Sequence, residues 1–158
     1  MTQASNAGAV VIDANVLIGL CAKGPDKFMT AEAVLQDYAA KGWLFYAPHV
    51  IVSEVLFVLC NKLQNGLLTP TTYEEAIENF CDQMKAILPP SQGDVSFIVR
   101  AKEIRSNYGC SHSTDGFYLA LTEELALNGA AEFLTFDKGV LNQIAKNAPT
   151  VKVNLLPI

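Results

Sequence analysis

The feature of this sequence that most constrains its fold is a repeated alternation between short apolar runs and longer amphipathic stretches. Short β-branched runs such as residues 9–12 are typical of strands that are buried on both faces. Amphipathic stretches of ten residues or more, such as residues 27–40, are typical of helices. Strands that alternate with helices predict a parallel sheet with right-handed crossovers and helices on both faces. We therefore expect a three-layer α/β/α fold with a central parallel sheet of four to five short strands.

The same pattern predicts where the individual elements lie. Strands are expected at residues 9–12, 43–46, 132–135 and 151–155, with a further short apolar piece at residues 86–88. Helices are expected at residues 14–21, 27–40, 48–64, 70–85, 94–107, 114–127 and 138–147. In the helix at residues 94–107, the apolar residues expected to share one side are Val95, Ile98, Val99 and Ile104.

Length and composition are those of a single domain. With 158 residues, 51% of them apolar, the chain is long enough to bury one core and too short for two. Residues 1–8 are small and polar without a signal-peptide pattern, so we expect a flexible leader followed by one domain at residues 9–158. The longest apolar run, residues 50–60, is shorter than the roughly 18 residues of a membrane span. The sequence therefore predicts a cytoplasmic protein with no membrane partner.

Four acidic residues stand at positions that the predicted topology brings together. Asp13 directly follows the first strand, and Asp137 lies just past the strand at residues 132–135. Asp115 falls in the first turn of the helix that leads into that strand. Helix N-termini and the carboxyl ends of parallel strands meet at one edge of the sheet, where such folds bind their ligands. Taken singly, Asp13 and Asp137 also fit helix N-caps, and Asp115 also fits a helix dipole.

Glu54 is the fourth acid, and its surroundings are unusual for a carboxylate. It lies inside the apolar stretch at residues 50–60, which contains no Lys or Arg, and the first basic residue after it is Lys62. An ionised carboxylate in such surroundings needs a cation, a raised pKa, or a route outward along a narrow polar stripe with Ser53. If Glu54 points inward near Asp13, the two like charges repel unless a metal ion lies between them.

These residue types predict a particular kind of chemistry. Oxygen ligands without His or Cys partners favour Mg²⁺ or Mn²⁺ over Zn²⁺. Carboxylates that hold such ions are typical of phosphodiester hydrolysis, in which one ion activates a water molecule and a second stabilises the leaving oxygen. The candidate function is therefore that of a metal-dependent nuclease.

The formal charge of −5 argues against a nucleic-acid partner, because phosphate backbones are usually bound by clustered Lys and Arg. Two divalent cations held by four carboxylates would cancel four of these charges and leave about −1. The densest basic group is Arg100, Lys102 and Arg105, which we interpret as the solvated face of a helix.

Four segments together resemble the PIN domains, a family that includes the ribonuclease toxins of bacterial toxin/antitoxin pairs. Residues 10–18 (VVIDANVLI) resemble the family's opening strand and first acid, and Ser53-Glu54 resembles its second acid. Residues 114–121 (TDGFYLAL) are similar to the third motif, and residues 129–139 (GAAEFLTFDKG) to the fourth. Each motif is weak alone, but the four occur in the family's order and cover most of the chain.

The resemblance implies a site and its partners. Position by position it implies a metal site of Asp13, Glu54, Asp115 and Asp137 that holds Mg²⁺ or Mn²⁺. Asn15 and Thr135 would be polar supports that orient ligands or water, although Asn15 also fits a local backbone contact and Thr135 an ordinary strand residue. The implied substrate is RNA, the implied assembly is a homodimer, and a toxin would have an antitoxin protein as partner. Gly116 departs from the alanine expected after the third acid.

Two other functions fit parts of the same sequence. A PIN-like binding module with little catalysis would explain the sparse positive charge, but not four intact acids. A phosphatase of the haloacid-dehalogenase type would use Asp13 as a nucleophile, but that scheme has a second Asp where this chain has Asn15. A toxin and a housekeeping ribonuclease have the same sequence features, so both roles stay open at this point.

Overall fold

Five parallel strands form the centre of the protein in a computed structural model that describes residues 7–106 and 116–158. The strands are β1 (Ala9–Ile12), β2 (Leu44–Tyr46), β3 (Ile87–Leu88), β4 (Ala131–Thr135) and β5 (Lys152–Leu155). Their order across the sheet is β3-β2-β1-β4-β5, and every neighbouring pair is parallel. The predicted parallel sheet is confirmed, and the short apolar piece near residue 87 is its edge strand.

Helices flank this sheet and complete the predicted three-layer α/β/α fold. Within the described part of the chain they are α1 (Ala14–Cys21), α2 (Phe28–Ala40), α3 (Val50–Gln64), α4 (Pro70–Met84), α5 (Ile98–Ser106), α6 (Gly116–Ala126) and α7 (Val140–Asn147), with a 3₁₀ helix at Asp94–Phe97. The start of α4 shows how sequence determines these boundaries. The Thr69 side chain accepts from the Thr72 N–H at 3.1 Å, the Thr72 hydroxyl accepts from the Thr69 N–H at 2.8 Å, and Pro70 occupies the first turn.

The strand order changes direction at the centre of the sheet, between β1 and β4. From β1 the chain adds β2 and β3 on one side, and it then crosses over to add β4 and β5 on the other. β1 and β4 are direct neighbours, with Ile12 paired to Leu134, and both residues are buried. Parallel α/β sheets bind ligands in the crevice beyond the carboxyl ends of the strands at this kind of reversal. The topology therefore places the end of β1 and the end of β4 at the expected binding edge.

The buried face of α5 differs from the sequence prediction. Val95, Ile98 and Val99 are 72%, 53% and 69% exposed, and only Ile104 of the expected apolar side is buried. The residues that pack inward are Phe97, Ala101 and Ile104. The segment begins as a 3₁₀ helix, which has three residues per turn and so changes the side that the following α-helix presents to the core. The prediction that Ile104 shares one side with Val95, Ile98 and Val99 is therefore wrong, because Ile104 packs into the core while the other three face outward.

Helix α3 also has apolar residues on both its buried and its exposed sides. Ile51, Val55 and Leu59 are fully buried, whereas Leu56 is 40% and Phe57 67% exposed.

Across residues 7–106 and 116–158, no helix is both long enough and apolar enough to cross a bilayer.

Candidate active site

Asp13 lies at the carboxyl end of β1, at the boundary between β1 and β4. Its backbone N–H donates to the Leu134 carbonyl at 3.0 Å, which continues the strand ladder by one residue. Asp13 occupies the N-cap position of α1, but its side chain makes no capping hydrogen bond. Its side chain is instead almost completely buried, with the residue only 4% exposed. Helix capping therefore does not explain an acid at this position.

Two polar side chains, Thr135 and Asn15, hold the Asp13 carboxylate. The Thr135 hydroxyl donates to Asp13 Oδ2 at 2.7 Å, and Asn15 Nδ2 lies 3.2 Å from the same oxygen. Asn15 Nδ2 also lies 3.1 Å from Thr135 Oγ1, while Asn15 Oδ1 accepts from the Phe136 N–H at 3.2 Å. The Asn15 side chain thus connects the turn after β1 to the turn after β4. The structure places both predicted supporting residues in contact with the predicted first acid.

Asp137 follows β4 on the same edge of the sheet and is half-buried. Its N–H donates to Thr135 Oγ1 at 3.0 Å, and its Oδ1 accepts from the Gly139 N–H at 2.8 Å, just before α7 begins. The side chain therefore supports the turn that leads into α7, but the N-cap of α7 is Gly139, so Asp137 is not the helix cap that the sequence also allowed. Its negative charge also acts on Asp13, where it raises the pKa.

Glu54 reaches the site from α3. The side chain is half-buried, and its Oε2 accepts a hydrogen bond of 2.9 Å from the hydroxyl of Tyr118, which is fully buried in α6. Glu54 therefore faces the protein, not an outward stripe with Ser53. The charge of Glu54 raises the pKa of Asp13, so these two acids lie within electrostatic reach of each other.

The electrostatics of the site follow from burial and from the gathering of like charges. Burial raises the pKa of Asp13 to about 6, the charges of Glu54 and Asp137 add to this, and hydrogen bonds from Thr135 and the Ala14 backbone act against it. Burial also raises the pKa of Glu54, whereas the Tyr118 hydroxyl and the positive charge of Arg105 lower it. Hydrogen bonds alone therefore do not compensate the negative charge of Asp13.

The fourth predicted acid, Asp115, lies outside the described residues. Among the residues that the structure does describe, no three His, Cys, Asp or Glu side chains form a group that could hold a metal ion. Asp13, Glu54 and Asp137 share one edge of the sheet, but they do not by themselves form a closed cage. Their donor chemistry fits Mg²⁺ or Mn²⁺, because all three offer carboxylate oxygens and the buried acid lacks full charge compensation.

Sequence reasoning missed two residues at this site, Tyr118 and Arg105. Tyr118 stands in an apolar helical segment, where periodicity predicts only a core residue. Arg105 belongs to the basic group that was interpreted as a solvated face. One signal in the sequence pointed to such residues. The Glu54 carboxylate needs a hydrogen-bond donor or a cation, and because its own stretch has none, a distant part of the chain must supply it.

A scan against models of known protein families finds no match, and a search of curated proteins also finds none.

The raised pKa of Asp13 predicts how the stability of the metal-free protein depends on pH. With a pKa of about 6 in the folded state and 3.8 as the reference value, the folded state holds this proton more tightly than the unfolded state. The contribution of Asp13 to stability is therefore fully present below about pH 4, is lost as the pH rises toward about 6, and stays lost above it.

Asp13→Asn removes this titration, so it should raise the unfolding free energy at pH 7 by about 3 kcal/mol when measured with a chelator present. Urea unfolding of both proteins between pH 4 and 8 measures the difference. A variant that is no more stable at pH 7 than wild type, with the same pH profile, would contradict the buried charge.

Proposed function

We propose that this chain is a divalent-metal-dependent ribonuclease of the PIN type that acts in the cytoplasm. The observation that carries the proposal is that Glu54 and Asp137 lie within electrostatic reach of the buried Asp13 at the reversal point of a parallel sheet. These acids come from β1, α3 and the turn after β4, and the charges of Glu54 and Asp137 both act on the buried Asp13. Such an arrangement opposes the stability of the metal-free fold, and acids gathered in this way are typical of metal-assisted phosphodiester chemistry, which supports the proposal.

The residues of the chain have separate roles in this proposal. Asp13, Glu54, Asp115 and Asp137 would hold Mg²⁺ or Mn²⁺, which when bound activates water and stabilises charge on the phosphate. Thr135 and Asn15 fix the orientation of the Asp13 carboxylate through the hydrogen bonds described above. The Tyr118 hydroxyl fixes Glu54 and leaves its other carboxylate oxygen for a further ligand.

We also propose that two copies of the chain associate through an apolar surface on α3 and the segment leading into α5. The surface consists of six exposed side chains, Val52, Leu56, Phe57, Val95, Ile98 and Val99. The two segments meet at Asp94, whose carboxylate accepts from the His49 N–H at 2.7 Å and the Val50 N–H at 2.9 Å.

The size of this apolar surface supports a second copy as its occupant. The six side chains expose on the order of 500 Å² of apolar area, which is at the upper end for a monomer and suits the centre of a dimer interface of roughly 800 Å² per partner. A two-fold axis uses one surface twice, so the six apolar side chains would pack against the same six side chains of the second copy.

The same apolar surface favours a second candidate function, a protein-binding module with little catalysis. The toxin role would combine the two functions, because a toxin of this kind is a nuclease that also binds an antitoxin protein. The antitoxin of that role would pack on the apolar helices and reach the carboxylates. Co-purification with a small protein encoded by the neighbouring gene tests the toxin role.

The first prediction from this proposal concerns metal binding without substrate. Mn²⁺ should raise the melting temperature of the wild-type protein, because an ion that binds only the folded state stabilises it by mass action. Asp13→Asn should lose this increase. The matched control is Asp26→Asn, which removes the same charge from an exposed turn between α1 and α2. Differential scanning fluorimetry over a Mn²⁺ series measures the effect, and an equal response in Asp13→Asn and wild type would refute the assignment.

The second prediction concerns the reaction. The protein should cleave RNA in Mg²⁺ or Mn²⁺, and both a chelator and Asp115→Asn should lower the rate by at least about a hundredfold, because the acids act together on the metal. Gel analysis of a labelled RNA measures the rate, with Asp26→Asn as the control for charge. Robust cleavage in the presence of chelator would reject the mechanism.

The third prediction concerns assembly. The wild-type protein should be a dimer at micromolar concentration, and Val99→Asp should make it a monomer, because an unpaired charge in an apolar interface is costly. Leu127→Asp is the matched control, since Leu127 is 83% exposed at the end of α6 and outside this surface. Light scattering coupled to size exclusion measures the mass. A monomeric wild type, or equal effects of the two substitutions, would exclude the interface.

A further inference from the structure

A cleft of about 450 Å³ lies between α2 and α4, over one face of the sheet. Its floor consists of apolar side chains from three neighbouring strands, Ile12 of β1, Phe45 of β2 and Ile87 of β3. Leu20 of α1 and Phe28 at the start of α2 also line it. A cleft with this volume and a largely apolar lining is typical of sites for ligands of small-molecule size.

Four polar side chains also line the cleft, three amides and one carboxylate, namely Gln36, Asn79, Gln83 and Glu32. Asn79 makes one contact of 3.5 Å, to the Cys21 carbonyl, and the other three side chains make no hydrogen bond within the described part of the chain. Amides donate and accept, and a carboxylate accepts from an amino group, so together they match the polar edges of a nucleobase. The half-buried rings of Phe28 and Phe45 add apolar surface of the kind on which bases stack. The lining therefore fits a flat heteroaromatic ring with polar edges.

The cleft lies next to the proposed metal site. Ile12 in its floor is the last residue of β1, and Asp13 follows directly. The turn between α1 and α2 connects the two places, because Lys23 lines the cleft and Lys27, four residues later, lies against the Phe136 ring. A strand whose base enters the cleft can therefore follow this turn to the acids.

The contact between Lys27 and Phe136 places a positive charge beside the turn after β4. Lys27 Nζ lies 5.3 Å from the centroid of the buried Phe136 ring, within the range of a cation–π interaction. A Cβ on Gly19 of α1 would lie 3.0 Å from Lys27 Cβ and 3.8 Å from Phe136 Cε2, so the missing side chain at Gly19 allows this approach. Phe136 directly precedes Asp137, and its N–H donates to Asn15. The ammonium group is thus held at the edge of the acidic site.

The ammonium groups of Lys23 and Lys27 are available to a ligand. Neither forms an ion pair within the residues that the structure describes. Arg100, by contrast, donates through Nε and Nη2 to both Glu123 carboxylate oxygens, at 2.7 and 2.6 Å. Its charge therefore serves the packing of α5 against α6, not the solvated face that the sequence indicated. A free ammonium has three donors and binds phosphate as a point charge.

We propose that the cleft between α2 and α4 is an RNA subsite that takes one unstacked base of the substrate strand, with the neighbouring backbone phosphates on Lys23 and Lys27. This inference rests on the nuclease function proposed above and names the part of the substrate that the protein holds next to the metal site. It makes single-stranded RNA the substrate, because a base inside a duplex is paired and stacked and cannot enter the cleft. The competing interpretation is that the cleft is a gap in helix packing that takes no part in RNA binding.

Filling the cleft from its walls tests the base subsite. Ala39 in α2 and Ala86 just before β3 both line the cleft and are exposed, so Ala39→Phe and Ala86→Phe should fill it without disturbing the core. In steady-state cleavage with Mn²⁺, each should raise KM for a single-stranded RNA at least about fivefold, because the stacking of one base is lost. Each should leave kcat near wild type, because the acids are unchanged. Ala33→Phe is the matched control, since Ala33 is exposed on α2 outside the cleft, and its KM should stay near wild type.

Fluorescence anisotropy with a chelator present measures RNA binding separately from cleavage. The wild-type protein should bind a labelled single-stranded RNA of mixed sequence more tightly than the same strand annealed to its complement. In Ala39→Phe this preference should fall to near equality, because both RNAs keep their phosphates while the base contact is lost. Ala33→Phe should keep the preference.

The salt dependence of the same binding tests the two lysines. Lys23→Gln and Lys27→Gln should each make the slope of log affinity against log salt shallower by about 0.7, the change expected for one phosphate contact of a single strand. Lys102→Gln removes the same charge from an exposed position on α5 and should leave the slope at its wild-type value. Slopes in both lysine variants that equal the slope of Lys102→Gln would overturn the phosphate contacts.

The outcomes separate this inference from the function on which it rests. If the wild-type protein cleaves RNA but Ala39→Phe and Ala86→Phe behave like Ala33→Phe, the subsite is overturned and the nuclease function stands. Equal wild-type affinity for single-stranded and duplex RNA would also overturn the subsite. A wild-type protein that does not cleave RNA in Mg²⁺ or Mn²⁺ overturns the nuclease function, and the anisotropy comparison then decides whether the cleft binds RNA. If Ala39→Phe does not fold, Ala86→Phe decides in both assays.

Discussion

The buried carboxylate of Asp13 is the constraint on which the rest of the site depends. It lies at the end of a central strand and is 4% exposed, in a position where a charged group must be paired, hydrogen-bonded or neutralised. Thr135 and Asn15 supply hydrogen bonds, but the pKa of about 6 means that they do not compensate the charge completely. The negative charges of the neighbouring acids Glu54 and Asp137 raise the pKa of Asp13 further.

The strand order explains how residues so far apart in sequence come to share this environment. β1 and β4 are separated by more than one hundred residues in the chain but lie side by side in the sheet, because the chain changes sides after β3. Asn15 then connects the two turns that follow these strands, through Thr135 and the Phe136 N–H. Since the acids at this point stand on strand ends and helices, their positions are set by the packed core.

Much of the fold could be predicted from sequence because its signals are local. The β-branched run of β1, the Thr69-Pro70 start of α4 and the length of α1 each follow from neighbouring residues. The outward face of Val95, Ile98 and Val99 could not be predicted, because a 3₁₀ turn shifts the phase of α5 and the pattern of apolar residues fits two sides.

Some residues of the candidate site could likewise be predicted from the sequence, and others could not. The positions of Asp13, Asn15, Thr135 and Asp137 follow from the rule that ligands bind beyond the carboxyl ends of parallel strands. Tyr118 and Arg105 belong to other helices, and periodicity predicts which side of a helix is buried but not which residue on a neighbouring helix it meets. The contribution of Asp115 to the proposed metal site stays a prediction, since Asp115 lies outside the described residues.

Stability alone does not explain an acid at position 13. A capping acid would offset its burial by a capping hydrogen bond to the first turn of the helix, but the Asp13 side chain makes no capping bond, and the Ala14 N–H that acts on it does not restore its usual pKa. Its hydrogen bonds to Thr135 and Asn15 would serve an uncharged amide equally well, without the cost of desolvating a charge. What an amide lacks is the negative charge itself, which a carboxylate can offer to a bound cation. The proposed role of Asp13 as a metal ligand would account for this charge, because binding of a cation would offset the destabilisation.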